Sequence, residues 1–176
     1  IGNHRYGTTI EASVEKLKRG NIMLMKRFTF LIALILCTFS ASAQRLVSGE
    51  KAPKLTVSKY IYGGPSDKGK PVLVEFFVSS GNQSLSQIET LSAFADKYRG
   101  KIDVVLISGD NEQTTRSFFS GEAPRFSVAI DADGKSFADY GVRYVPFSVL
   151  IDSRGGYVWQ GRSKSIPDNV IASVLR

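Results

Sequence analysis

Residues 72–91, VLVEFFVSSGNQSLSQIETL, carry the side chains best placed to do chemistry. One carboxylate, Glu75, interrupts an apolar run, and three hydroxyls, Ser79, Ser80 and Ser84, surround the polar turn Gly81-Asn82-Gln83-Ser84. A serine oxygen is a weak nucleophile at neutral pH unless a neighbouring base takes its proton. The chain holds a single histidine, His4, and a single cysteine, Cys37, both far upstream. The stretch therefore offers polar hydrogen-bonding groups and no activated nucleophile.

Residues 25–44, MKRFTFLIALILCTFSASAQ, place Lys26 and Arg27 ahead of a 12-residue apolar run, Phe28–Phe39, followed by Ala41-Ser42-Ala43. This reads as a secretory signal peptide cut near Ala43. The run is well short of the roughly 20 residues a spanning helix requires. Leu34-Ile35-Leu36 lack the small residues a lipoprotein site would place before Cys37. Residues 1–22, with the charged EASVEKLKRG, precede Met23 and are expected to be an upstream extension foreign to the fold. The expected plan is thus extension 1–22, signal peptide 23–43 and one domain at 44–176, periplasmic or secreted. Cleavage would remove Cys37 and His4. A mature chain without either has no thiolate nucleophile, internal disulfide, Ser-His-Asp triad or zinc site built from Cys or His. It would keep 17 basic and 14 acidic residues, a net charge of +3 against +7 for the whole chain. No Lys/Arg stripe interleaved with aromatics suggests nucleic-acid binding. No metal, cofactor or membrane partner is expected.

The elements that position these groups follow from periodicity. Val72–Val78 is apolar except at Glu75, the pattern of a central strand buried on both faces. For Glu75 two readings stand equally: it faces outward or pairs with a Lys or Arg, or it is buried, and buried without a partner its pKa would rise. From Ser84, Leu85, Ile88, Leu91, Phe94 and Ala95 recur at three- and four-residue steps, which predicts an amphipathic helix ending near Tyr98. Ser84-Leu85-Ser86-Gln87 fits a capping box, in which Ser84 accepts from the amide of Gln87 and Gln87 reaches back, for about 1 kcal/mol. Ile102–Ile107 is a second strand, parallel to the first through a right-handed crossover.

Elsewhere, Lys54–Tyr62 predicts an edge strand or hairpin, residues 112–119 a helix with Phe118 and Phe119 inward, and Phe126–Ile130 a strand. Ser136–Tyr140 offers a helical turn. Val145–Ile151 and Tyr157–Gln160 form a hairpin about Ser153-Arg154-Gly155-Gly156. Pro167 opens a terminal helix with Val170, Ile171, Val174 and Leu175 inward. The fold class is α/β, a central mixed sheet with helices on both faces. Asp131-Ala132-Asp133-Gly134 is similar to the opening of a calcium loop, but Val142 stands at the twelfth position, so it reads as a turn. Asn82-Gln83-Ser84 is a glycosylation sequon, of consequence only in a host that modifies such sites.

In Gly69-Lys70-Pro71 leading into VLVEFF, VVLISGD at 104–110, DADGKSFADYGVRYVPFSVLID at 131–152 and above all Tyr140–Pro146, the chain resembles the thioredoxin-like family. The resemblance is strongest to the exported bacterial thiol-disulfide oxidoreductases. It implies two cysteines flanking two residues at the helix start, where the dipole and free amides lower a thiolate's pKa. Gly81 and Ser84 stand at those positions, and neither can exchange disulfides. Glu75 falls at the position of the family's buried acid. Val145–Pro146 is implied to be a cis peptide facing the helix start, with Val145 pairing an extended substrate segment.

The leading expectation is a redox-inactive exported protein that binds a peptide, protein or small ligand through Ser80, Asn82, Gln83, Val145 and Pro146. Two alternatives stand beside it. One is an enzyme holding a small thiol ligand against Ser79, Ser80 or Ser84. The other is a working thiol-disulfide oxidoreductase despite the missing cysteines.

Overall fold

Six strands form one mixed sheet in the order β1-β4-β3-β2-β5-β6. They are β1 (Lys59–Tyr62), β2 (Val72–Phe77), β3 (Asp103–Ser108), β4 (Ser127–Ile130), β5 (Phe147–Ile151) and β6 (Tyr157–Gly161). Strands β2, β3 and β4 run parallel, while β1, β5 and β6 pair antiparallel with their neighbours. The helices are α1 (Ser84–Lys97), α2 (Glu112–Phe118), α3 (Lys135–Asp139) and α4 (Asp168–Val174), with a 3₁₀ turn at Ser163–Ser165. The computed structural model describes residues 48–67, 69–81 and 83–176. The expectations for residues 1–43, including the signal peptide and Cys37, lie outside the described residues, and so does Asn82.

Side chains alternate between the faces of a strand, and in β2 both faces are covered. Leu73 and Phe77 join one apolar cluster with Leu91 and Ala95 of α1 and Ile171 of α4, while Phe118 and Phe119 at the end of α2 pack against it. Val74 and Phe76 join the other, with Tyr140, Val149 and Ile151, against Phe137 of α3 and the segment containing Leu55 and Val57. Glu75 has the parity of Leu73 and Phe77. It therefore points into the layer beneath α1.

Several expectations are corrected. The stretch before Lys59 is not a strand, because Ser136 of α3 binds it: the Thr56 N–H donates to Ser136 Oγ at 2.9 Å, and Ser136 Oγ donates to the Thr56 carbonyl at 2.8 Å. Leu85, expected inward on α1, is 71% exposed, and Leu175 at the end of α4 is also exposed. The buried stripe of α1 is Ser84, Gln87, Leu91 and Ala95, so its first turn turns a polar face to the sheet. The Asp131 loop is a turn, as expected: Asp131 Oδ2 accepts from the Phe137 N–H at 2.9 Å, and Gly134 takes the left-handed conformation at φ 65°.

Candidate functional site

The C-terminal end of β2 feeds the turn before α1, a geometry that sets the N-terminal, positive end of a 14-residue helix dipole at the C-terminal end of a central strand. The Ser79 N–H donates to Asp110 Oδ2 at 2.6 Å, which ties this turn to the loop after β3. Facing it is the segment before β5, where Val145–Pro146 is cis, as the resemblance implies. Between them lies a cleft of about 220 Å3 lined by Phe77, Val78, Gly81, Gln83, Ser84, Gln87, Val145, Pro146 and Arg162.

The capping box at Ser84 does not form. Gln83 is the N-cap, and its backbone, at φ −105° and ψ 5°, lies outside the extended geometry that lets a side chain fold back onto the helix amides. Ser84 instead donates from Oγ to the carbonyls of Gly81 at 2.6 Å and Val78 at 3.1 Å, closing the turn. Its proton is thus directed to the turn rather than into the cleft.

Gln87 turns inward rather than back to the cap. Its Nε2 donates to Glu75 Oε1 at 2.7 Å and to Ser163 Oγ at 2.6 Å. Ser148 Oγ donates to the other oxygen of Glu75 in a short bond. Glu75 is thus neither outward nor ion-paired: it is fully buried among neutral partners. Burial raises its carboxyl from the ordinary 4.5 to about 7, against the lowering pull of Ser148, Ser163 and Gln87. Both Nε2 bonds point into this network, and the Gln87 Oε1 has no hydrogen-bond partner among the described residues. Gln87 therefore links a buried acid to the wall of the cleft.

The search of family models finds no match. Two curated relatives, the thiol-disulfide oxidoreductases ResA of Bacillus thuringiensis (strain Al Hakam) and Bacillus anthracis, are each 27% identical over 128 residues, covering 69% of this chain and 73% of theirs. Among solved structures, a Chlorobium tepidum protein assigned as the thiol:disulfide interchange protein DsbE superposes with a TM-score of 0.64 at 24% identity, over 74% of this chain and 99% of that one. The thioredoxin domain of a Bacteroides vulgatus thiol-disulfide oxidoreductase gives 0.62 at 19% identity, over 73% and 99%. The chain has a thioredoxin-like fold.

Within the thioredoxin-like fold, the cleft gathers most of the residues singled out from the sequence. Gly81, Gln83, Ser84, Val145 and Pro146 all line it. Ser80 stands exposed in the turn, outside the lining, and Asn82 lies outside the described residues. Gln87, Ser163, Ser148 and Arg162 were missed. The parity of Leu73, Glu75 and Phe77 would have placed the acid inward, and a buried acid requires polar partners such as these. A larger recess of about 460 Å3 lies at the opposite end of the parallel strands, near Asp103 and Ser127. None of the expected site residues lines it, and its Arg99 and Arg125 share one carboxylate, Asp96.

Proposed function

We propose that this thioredoxin-like protein is a redox-inactive binding module of the bacterial envelope, taking an extended peptide segment of a partner protein in the cleft before β5. The reading is supported by one observation: a cleft between the start of α1 and Val145–Pro146, lined by Gly81 and Ser84, the residues that the resemblance sets at its two cysteine positions. Extended segments are held by main-chain hydrogen bonds, with side-chain pockets supplying specificity. The Gln87 carboxamide oxygen is an acceptor suited to a peptide N–H. An envelope location is supported by the signal-like residues 25–44 and by the likeness to an exposed lipoprotein thioredoxin of Streptococcus pneumoniae, at a TM-score of 0.52 and 23% identity over 61% of this chain and 84% of that one.

The test pairs two measurements on the purified protein. Insulin reduction with dithiothreitol as the electron source should show no turnover above the uncatalysed rate. Binding of a library of short extended peptides, read by fluorescence anisotropy, should be weakened about tenfold or more by Val145→Asp, which sets a charge against the segment's path. Catalytic turnover, or peptide binding indifferent to Val145→Asp, would overturn the reading.

A further inference from the structure

Among the residues that line the cleft, one is charged: Arg162, exposed at the end of β6. No acid lines the cleft with it. The ion pairs among the described residues all join other side chains, so the Arg162 guanidinium meets no carboxylate among the described residues. Arg143 and Lys164, each two residues along the chain from a lining residue, are exposed and likewise outside every ion pair. The positive end of the α1 dipole lies at the same cleft, through Gln83 and Ser84. Next to lining residues stand two large exposed side chains, Leu85 at 71% and Tyr144 at 56%.

These features are complementary to one kind of occupant. We propose that the cleft selects acidic segments, with Arg162 as the specificity-determining residue that receives an Asp or Glu side chain of the bound peptide in a bidentate pair. The carboxylate meets the guanidinium fork, whose planar geometry matches it. A backbone N–H of the segment donates to Gln87 Oε1, and apolar side chains flanking the acid lie on Tyr144 and Leu85. A lysine-bearing segment meets Arg162, the neighbouring Arg143 and Lys164, and the helix dipole, all of the same sign. The proposal rests on the peptide-binding reading above, and its test separates the two.

A matched set of short peptides with identical apolar flanks carries Glu, Gln or Lys at the centre, and each is titrated by fluorescence anisotropy against the wild type, Arg162→Ala, Arg162→Lys and Arg162→Glu. The wild type should bind the Glu peptide about tenfold more tightly than the Gln peptide, the worth of one charge-assisted hydrogen bond. Arg162→Ala should abolish that preference, so that it binds the Glu and Gln peptides with equal affinity. Arg162→Lys should keep part of it, and Arg162→Glu should invert it toward the Lys peptide. The preference should shrink as salt is raised. Equal binding of the Glu and Gln peptides by wild type, or a Glu preference that survives Arg162→Ala, overturns the assignment and leaves peptide binding itself standing. Absence of binding by every peptide removes both. Because Arg162 is exposed, the variants should melt with the wild type, which keeps the comparison free of folding effects.

Discussion

Glu75 is the residue on which stability and function meet. Its carboxyl ionises at about 7 in the folded chain and at 4.5 when free, so between those values the folded state binds more protons than the unfolded state. Stability is therefore greatest below the lower value and falls as pH rises through the upper one. The gap corresponds to about 3 kcal/mol. Urea unfolding of wild type at about pH 5 and about pH 8 should show a decrease of that order. In Glu75→Gln the decrease should vanish, because a carboxamide can bond Ser148 and Gln87 without ionising. An equal pH dependence in the two proteins would show that the acid is not held among neutral partners. Ionisation also changes Gln87, since its Nε2 bond to Glu75 Oε1 is charge-assisted only when the carboxyl is ionised. Peptide affinity should accordingly change across neutral pH in the wild type and stay flat in Glu75→Gln.

At the scale of elements, helices α1 and α2 begin in different ways. Helix α2 is capped by Asn111, whose extended backbone at φ −68° and ψ 165° lets its side chain accept from the Thr114 N–H at 2.8 Å. Asn111→Ala should cost about 1 kcal/mol in chemical denaturation and leave peptide binding unchanged. Helix α1 has no such cap, and Ser84→Ala should also cost about 1 kcal/mol, through the two carbonyls of the turn that lose their donor. The Ser84 effect differs in kind, because those carbonyls line the cleft and Ser84→Ala should weaken peptide binding as well. This contrast also marks what the sequence made legible. Apolar periodicity located the four α-helices and most strands to within about two residues, since burial of one face is a property of the local pattern, but it began β1 at Lys54 instead of Lys59 and did not find the 3₁₀ turn at Ser163–Ser165. It missed the inward turn of Gln87, because the partners that draw it inward, Glu75 on β2 and Ser163 across 76 residues, are brought together only by the tertiary fold. Arg162 was invisible for the same reason: an exposed arginine after a strand is ordinary until the segment before β5 is laid beside it.

For the whole molecule, the question is whether the thioredoxin-like fold holds exchange geometry at Gly81 and Ser84. A Cβ built at Gly81 lies 3.1 Å from Ser84 Oγ. In a disulfide, the Cβ of one cysteine lies about 3.0 Å from the sulfur of the other, given ordinary bond lengths and angles. The two positions are therefore spaced as a bridged pair would be, and Gly81 has no left-handed backbone to strain a side chain. Gly81→Cys together with Ser84→Cys should form an internal disulfide on mild oxidation, seen as a mass loss of two hydrogens and as protection from alkylation. The reduced form has its thiols at the start of α1, where the dipole stabilises a thiolate. It should reduce insulin faster than the wild type. Either single variant should lack the internal bridge and show no turnover, since resolving a mixed disulfide needs the second thiol. A double variant that stays reduced under oxidant would show that the loss of redox chemistry reaches beyond two side chains into the backbone of the turn.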